Sequence, residues 1–419
     1  MEINLNLKKI KFQDKIALLL FALIFSPILF LLVKSFYQDT ESLKYLFKNL
    51  LFDYSINTIY LVIITSFFSL ILGIIPAWYV SNHQFPGRRI IDLILYLPLS
   101  IPTYIMAFTY SELLSYTGPF KITYDFLQIE ILGILLAFSL YPYIYSVSRI
   151  SFSLFGSRYY DLAKNLGLSG YQTLIKVVLP LSKPAIFSGL FLVIMEVLNE
   201  YGAVKYFGIN TYTIGIFRSW NSMNDSGAAI QLSSILLFIV AFLFFVEKYF
   251  NQNKRFSFSK NSQLVSLNKP DNSLKLLIYL ICLIPIILAF VIPVLFNLIN
   301  IFSSFDDINF ERLLNLTFNS FAICSIASIL ILIVSTFFLY NEKISNSKIY
   351  YYINQFISLG YSIPGAVVAL AVIISVTGLD NLNDNIKLLG SFSVYFLILI
   401  YAFIIRFMAV GKSPIKSSL

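Results

Sequence analysis

The chain has 419 residues, 58% hydrophobic and only 12% charged, with a mean hydropathy of +0.80. Soluble domains are about half apolar and about a quarter charged, so this composition excludes a soluble protein. The net charge of +9 reflects 30 basic against 21 acidic residues. The basic residues lie between apolar runs of membrane length, which reads as topology rather than nucleic-acid binding.

Lys8, Lys9, Lys11 and Lys15 precede the first apolar run, and no small-residue cleavage site stands near Phe36. That run is expected to be a retained anchor rather than a signal peptide. Ten spans are predicted, at 16–33, 56–80, 90–114, 131–147, 185–204, 228–246, 274–298, 318–340, 356–377 and 388–410. All should be helical, because lipid offers no partner to a free backbone group. The expected fold class is an all-α polytopic membrane protein. If the spans alternate from a cytoplasmic N-terminus, 22 of the 30 basic residues fall inside, as the positive-inside rule requires.

The polar stretch 251–273 reads as a cytoplasmic linker between two halves, 1–250 and 274–419. The halves repeat. Asn57, Leu97, Ser100, Ile101 and Pro102 recur as Asn319, Leu359, Ser362, Ile363 and Pro364, all at an offset of 262, and Arg149 recurs as Arg406 at 257. This predicts a duplicated six-span unit with parallel copies. The second copy is shorter than the first and is expected to be incomplete.

The longest inside loop, 148–184, contains YDLAKNLGLSGYQTLIKVVLPLSKPAI. Its local pattern predicts two short helices. Gly167 ends the first in a left-handed turn. Ser169 and Gln172 form a capping box for the second. Tyr171, Leu174, Ile175 and Val178 follow helical spacing as one apolar stripe, and Pro180 and Pro184 are expected to end that helix. Such a loop could dock in a partner's groove or pack on its own spans.

Glu196, Asn199 and Glu200 share one predicted helix face deep in a span. There they either line a path or bond between helices. Pro98, Pro102 and Pro364 break main-chain hydrogen bonds inside spans, as pore-lining bends or as packing kinks. His83 is the single histidine, and Cys282 and Cys324 lie in apolar runs. No disulfide framework, metal set or catalytic group is predicted. Gly411-Lys412-Ser413 resembles the end of a phosphate loop, but Arg406 stands where its first glycine should be.

Asp161, Leu162 and Ala163, then Gly167, then Val177, Leu179 and Pro180 resemble the EAA loop of ABC-importer permeases. Asp replaces Glu, Leu replaces the first Ala and Val replaces Ile. The stretches Phe85–Pro119 and Glu196–Trp220 resemble the ferric-iron branch, in which two permease halves are fused. The resemblance implies a duplicated permease fold in the bacterial inner membrane. It implies a coupling loop in which Asp161, Ala163, Gly167, Leu179 and Pro180 contact an ABC ATPase. It also implies two ATPase subunits that hold the ATP, a periplasmic binding protein that delivers ferric iron, and no cofactor on this chain. Against the family pattern, a second EAA loop and two further spans are missing. Alternatives are the same machine for thiamine, a polyamine or a phosphonate, or a secondary transporter driven by an ion gradient.

Overall fold

The computed structural model describes residues 12–37, 40–116, 118–121, 126–154, 162–163, 165–252, 267–345, 348–382 and 392–418. Among them the regular structure is helical, apart from one isolated bridge between His83 and Asn268. Eight helices are long and apolar enough to cross a membrane, and ten spans result if each of two bent pairs counts as one. The chain is therefore an all-α, multi-pass membrane protein.

The first helices are α1 (Phe12–Ser35), α2 (Thr40–Asn49) and α3 (Leu51–Asn82). The span predicted at 90–114 is broken at the prolines where a bend or kink is expected. α4 (Arg88–Ile94) leads through a 3-10 turn, Leu97–Ser100, into α5 (Thr103–Leu114), and the pair is bent by 90°. Pro98 and Pro102 remove two helical donors. The ring of Pro102 also pushes Ile101 out of the helical region, to φ −92° and ψ 116°.

α6 (Ile129–Leu154) follows. After the loop come α7 (Gly170–Thr173), a π turn at Leu174–Val178, and α8 (Leu179–Asn199). Residues 170–199 form one continuous span, so Pro180 and Pro184 do not end the helix. Pro180 falls in the first turn of α8, directly after the π turn, where the wider ring of backbone bonds accommodates a missing donor. The span predicted at 185–204 thus starts earlier and stops at Asn199. Short helices α9 (Gly202–Tyr206) and α10 (Tyr212–Phe217) lead to α11 (Ser226–Gln252).

Beyond the linker lie α12 (Asn272–Ile286), a π turn at Ile287–Val291, and α13 (Ile292–Ser303). α14 (Phe310–Ser345) is followed by α15 (Lys348–Leu359), a 3-10 turn at Gly360–Ser362, α16 (Gly365–Leu382) and α17 (Phe392–Ser418). The span predicted at 356–377 is likewise broken, by 110° at Pro364. Pro102 and Pro364 are 262 residues apart, so both breaks fall at the repeated Leu-x-x-Ser-Ile-Pro positions.

Two compact units emerge. One comprises Tyr45–Gly215 and Phe242–Asp307, the other Met1–Lys44, Ile216–Ala241 and Ile308–Leu419. In the first, α3, α6 and α8 form the centre. Glycine lets their backbones approach: a Cβ on Gly73 would stand 2.9 Å from the Tyr145 nitrogen, and one on Gly189 3.1 Å from the Tyr143 carbonyl oxygen. α12 and α13 pack against α3 and α5. In the second unit α14 pairs with α17, and α1 packs on α16. Phe21 and Phe25 of α1 also meet Phe356 edge-on at 6.2 and 6.3 Å. The first unit therefore takes α12 and α13 from the second half of the sequence, and the second unit takes α1 and most of α11 from the first.

Candidate functional site

Ala163, Gly167, Leu179 and Pro180 fall among the described residues of the 148–184 loop; Asp161 lies outside them. The Leu166 N–H donates to the Leu162 carbonyl and the Leu168 N–H to the Ala163 carbonyl, both at 3.0 Å. Gly167 has φ +72°, the left-handed turn that closes this helical stretch. Ser169 caps the next helix. Its Oγ accepts from the Gln172 N–H at 3.3 Å, while Gln172 Oε1 accepts from the Ser169 N–H at 3.1 Å.

Ala163 is buried, whereas Leu162 and Leu166 are exposed, Leu166 at 77%. Tyr171 and Ile175 are also exposed, while Val178 is buried. The four-residue apolar stripe is thus split rather than presented on one face. The π turn inserts an extra residue per turn and rotates Val178 inward. An apolar set of Leu162, Leu166, Tyr171 and Ile175 is left exposed on the loop. Exposed leucine, isoleucine and tyrosine on the two sides of the Gly167 turn are the anchors a protein partner would bury.

The intramembrane acids are placed differently from the prediction. Glu196 and Asn199 lie in α8, but Glu200 leaves the helix with ψ 126° and does not share their face. Its carboxylate accepts from Thr103 Oγ1 at 2.5 Å and from the Ala203 N–H at 2.8 Å. Its carbonyl accepts from Thr213 Oγ1 at 2.7 Å. Glu200 therefore joins the start of α5, just past the Pro102 break, to the N-terminus of α9, where a negative charge suits the helix dipole. Pro98 and Pro364 are buried within their breaks.

Asp92 and Arg149 form a contact that sequence reading missed. Arg149 Nη2 donates to Asp92 Oδ2 at 2.8 Å, and Arg149 Nε lies 3.1 Å from both carboxylate oxygens. Tyr145 Oη donates to Asp92 Oδ1 at 2.6 Å, and Arg149 Nη1 donates to Ser153 at 2.7 Å. This network fixes the first arm of the broken span to α6. At the offset of 262, Asp92 corresponds to Asn354. The Asn354 side-chain amide instead donates to Glu342 Oε2 at 2.6 Å, and its backbone carbonyl accepts from Lys412 Nζ. The offset could have revealed the exchange of Asp for Asn, but not the changed partners.

A second group that sequence reading passed over is Gln231 in α11. It is 4% exposed, and among the described residues neither amide atom has a hydrogen-bond partner. Among the described residues no three His, Cys, Asp or Glu side chains converge as a metal site.

Residues 69–256 match the family of binding-protein-dependent transport system inner membrane components. The matched segment includes the loop and the broken span 88–114 and is similar to those inner membrane components. Among individual relatives, the sulfate transport system permease protein CysT of Escherichia coli K12 is 30% identical over 156 residues. That match covers 35% of this chain and 55% of the relative. The Fe(3+)-transport system permease protein FbpB 2 of Haemophilus influenzae is 27% identical over 212 residues, 50% of this chain and 40% of the relative. A probable sulfate permease of Helicosporidium is 31% identical over 153 residues, 35% of this chain and 57% of the relative. The chain spans about half the length of the curated relatives it matches.

Proposed function

We propose that the chain is the membrane subunit of an ATP-driven importer and that its substrate is ferric iron delivered by a periplasmic binding protein. The observation that carries the importer reading is the exposed apolar loop, 162–178, on the end of a continuous spanning helix and inside the family match. In this reading two ABC ATPase subunits hold and hydrolyse ATP. One of them bears on Leu162, Leu166, Tyr171 and Ile175, with Asp161, Ala163, Gly167, Leu179 and Pro180 shaping the loop. The N-terminus lies in the cytoplasm, as the 22 inside basic residues favour. Motion of the loop passes along α8 to Glu200, and from there to α5 through Thr103 and to α9 through Ala203. The breaks at Pro98–Pro102 and Pro364 are the hinges of the two halves, with Glu196 and Asn199 on the path.

Iron is favoured over sulfate on two grounds. The 55% share covered by 156 residues makes the Escherichia coli sulfate permease about 280 residues long, too short for the paired breaks of this 419-residue chain. Residues 184–204 carry no basic residue, and Glu196 stands among them on the proposed path, a lining suited to a cation. The higher identity to the sulfate permeases supports sulfate as the second reading.

Pull-down of the tagged full chain from its native membranes tests the class: an ATPase subunit copurifies, and Gly167→Val reduces it. If none copurifies, the importer reading fails. Uptake of labelled ferric iron and labelled sulfate, in cells with and without the chain, tests the substrate. Chain-dependent sulfate uptake without iron uptake would overturn iron and leave the class standing.

A further inference from the structure

A groove of about 480 Å³ runs along the outer surface of the first unit. Leu70 and Ile74 of α3, Ile186 and Leu190 of α8, and Phe250 at the end of α11 line it, with Lys183 at one end. Phe187, on the same wall, meets Phe250 in a tilted ring contact at 5.2 Å. The volume is that of a small-molecule site, and nearly all of the lining is apolar. The surrounding surface is also apolar: Phe67, one turn from Leu70, is 58% exposed, and Phe245 is 64% exposed. In a membrane-spanning helix such a surface meets lipid, so the occupant is hydrocarbon rather than a soluble ligand. Lys183 is exposed and is the one charged residue of the lining. It stands at the loop end of the span, with Lys176 exposed two turns before it. From Lys183 to Leu190 a helix rises about 10 Å at ~1.5 Å per residue. That is enough for the upper part of an acyl chain lying below a headgroup.

We infer that this groove binds one anionic phospholipid, with an acyl chain along Ile186 and Leu190 and the phosphate at the Lys183 ammonium. A basic side chain at the membrane boundary attracts an anionic headgroup, and the adjoining groove holds the chain in place. The site lies at the foot of the coupling loop, one turn from Pro180, so its occupancy braces the π turn through which the loop joins α8. It is independent of which substrate is carried.

Native mass spectrometry of the full chain in detergent, titrated with phosphatidylglycerol or phosphatidylcholine, tests the site. One phosphatidylglycerol should remain bound at activation energies that strip phosphatidylcholine. Lys183→Gln should weaken phosphatidylglycerol binding about tenfold and leave phosphatidylcholine unchanged. Leu190→Trp, which fills the groove, should weaken both. A melting temperature within a few degrees of the parent shows that each variant is folded, and a third variant, Ile186→Trp, repeats the groove test elsewhere. Equal retention of the two lipids, or phosphatidylglycerol binding unchanged by Lys183→Gln, overturns the proposal. So does a dimer that is lost on Leu190→Trp, which would make a second copy of the chain the occupant.

Discussion

Arg149 reaches across from α6 and holds both carboxylate oxygens of Asp92, its closest contact at 2.8 Å, with each side chain 22% exposed. The pair ties the first arm of the broken span to the helix beside it, and Tyr145 and Ser153 complete its hydrogen bonds. Removing one partner leaves the other charged and unpaired in a poorly hydrated setting. Arg149→Gln should therefore lower stability by about 2 kcal/mol, read from denaturation in detergent. The double variant Asp92→Asn/Arg149→Gln should recover at least half of that loss. Equal losses in the single and double variants would show that the charge pair is not the cause.

Glu200 is a clasp rather than a free acid, since it accepts from both Thr103 and the Ala203 N–H. Glu200→Ala strands both donors and should cost about 2 kcal/mol, whereas Thr103→Val removes one neutral donor and should cost about 1 kcal/mol. Melting temperatures of the two variants check the order. A Glu200→Ala protein as stable as the parent would remove the clasp from the account.

The close packing of α3 on α6 makes a third expectation. A methyl group on Gly73 would meet Ile144 Cβ at 2.8 Å and the Tyr145 nitrogen at 2.9 Å, and backbone cannot step aside cheaply. Gly73→Ala should destabilise by about 1–3 kcal/mol despite the better helix propensity of alanine. Gly170→Ala, which meets nothing within 4 Å, is the matched control and should be close to neutral.

His83 follows α3 and faces Tyr79, and burial holds its imidazole below the ordinary histidine range. The neutral form is the folded form. Its contribution is therefore complete above about pH 6.5 and is lost as pH falls below that value. The melting temperature should drop between pH 7 and pH 5, and His83→Gln should flatten that part of the profile. An unchanged slope in the variant would assign the drop to other groups.

What was readable in the sequence follows from which forces act locally. The helical class came from runs of apolar residues. The turn at Gly167 and the capping box at Ser169 and Gln172 came from short-range chemistry that tertiary packing did not override. The two breaks were marked by Pro102 and Pro364, but their angles were not, because the bend depends on what each arm packs against. Pro180 and Pro184 misled for the same reason: a π turn absorbed the first, and the helix ran on. Glu200 looked like part of a helix face until the chain left the helix at that residue. Asp92 and Arg149 are 57 residues apart, a distance that no local pattern spans.

In the proposed importer an ATPase docks on the exposed Leu162, Leu166, Tyr171 and Ile175 of the 162–178 loop. A photoreactive phenylalanine analogue placed at Leu166 or at Tyr171, both more than 70% exposed, tests it in membranes. Illumination should join each to an ATPase subunit, while the same group at Leu29, an exposed residue within the spanning helix α1, should give no such product. Crosslinks from Leu166 and Tyr171 that run only to lipid or back to the chain itself, with the same yield as Leu29, would contradict the account.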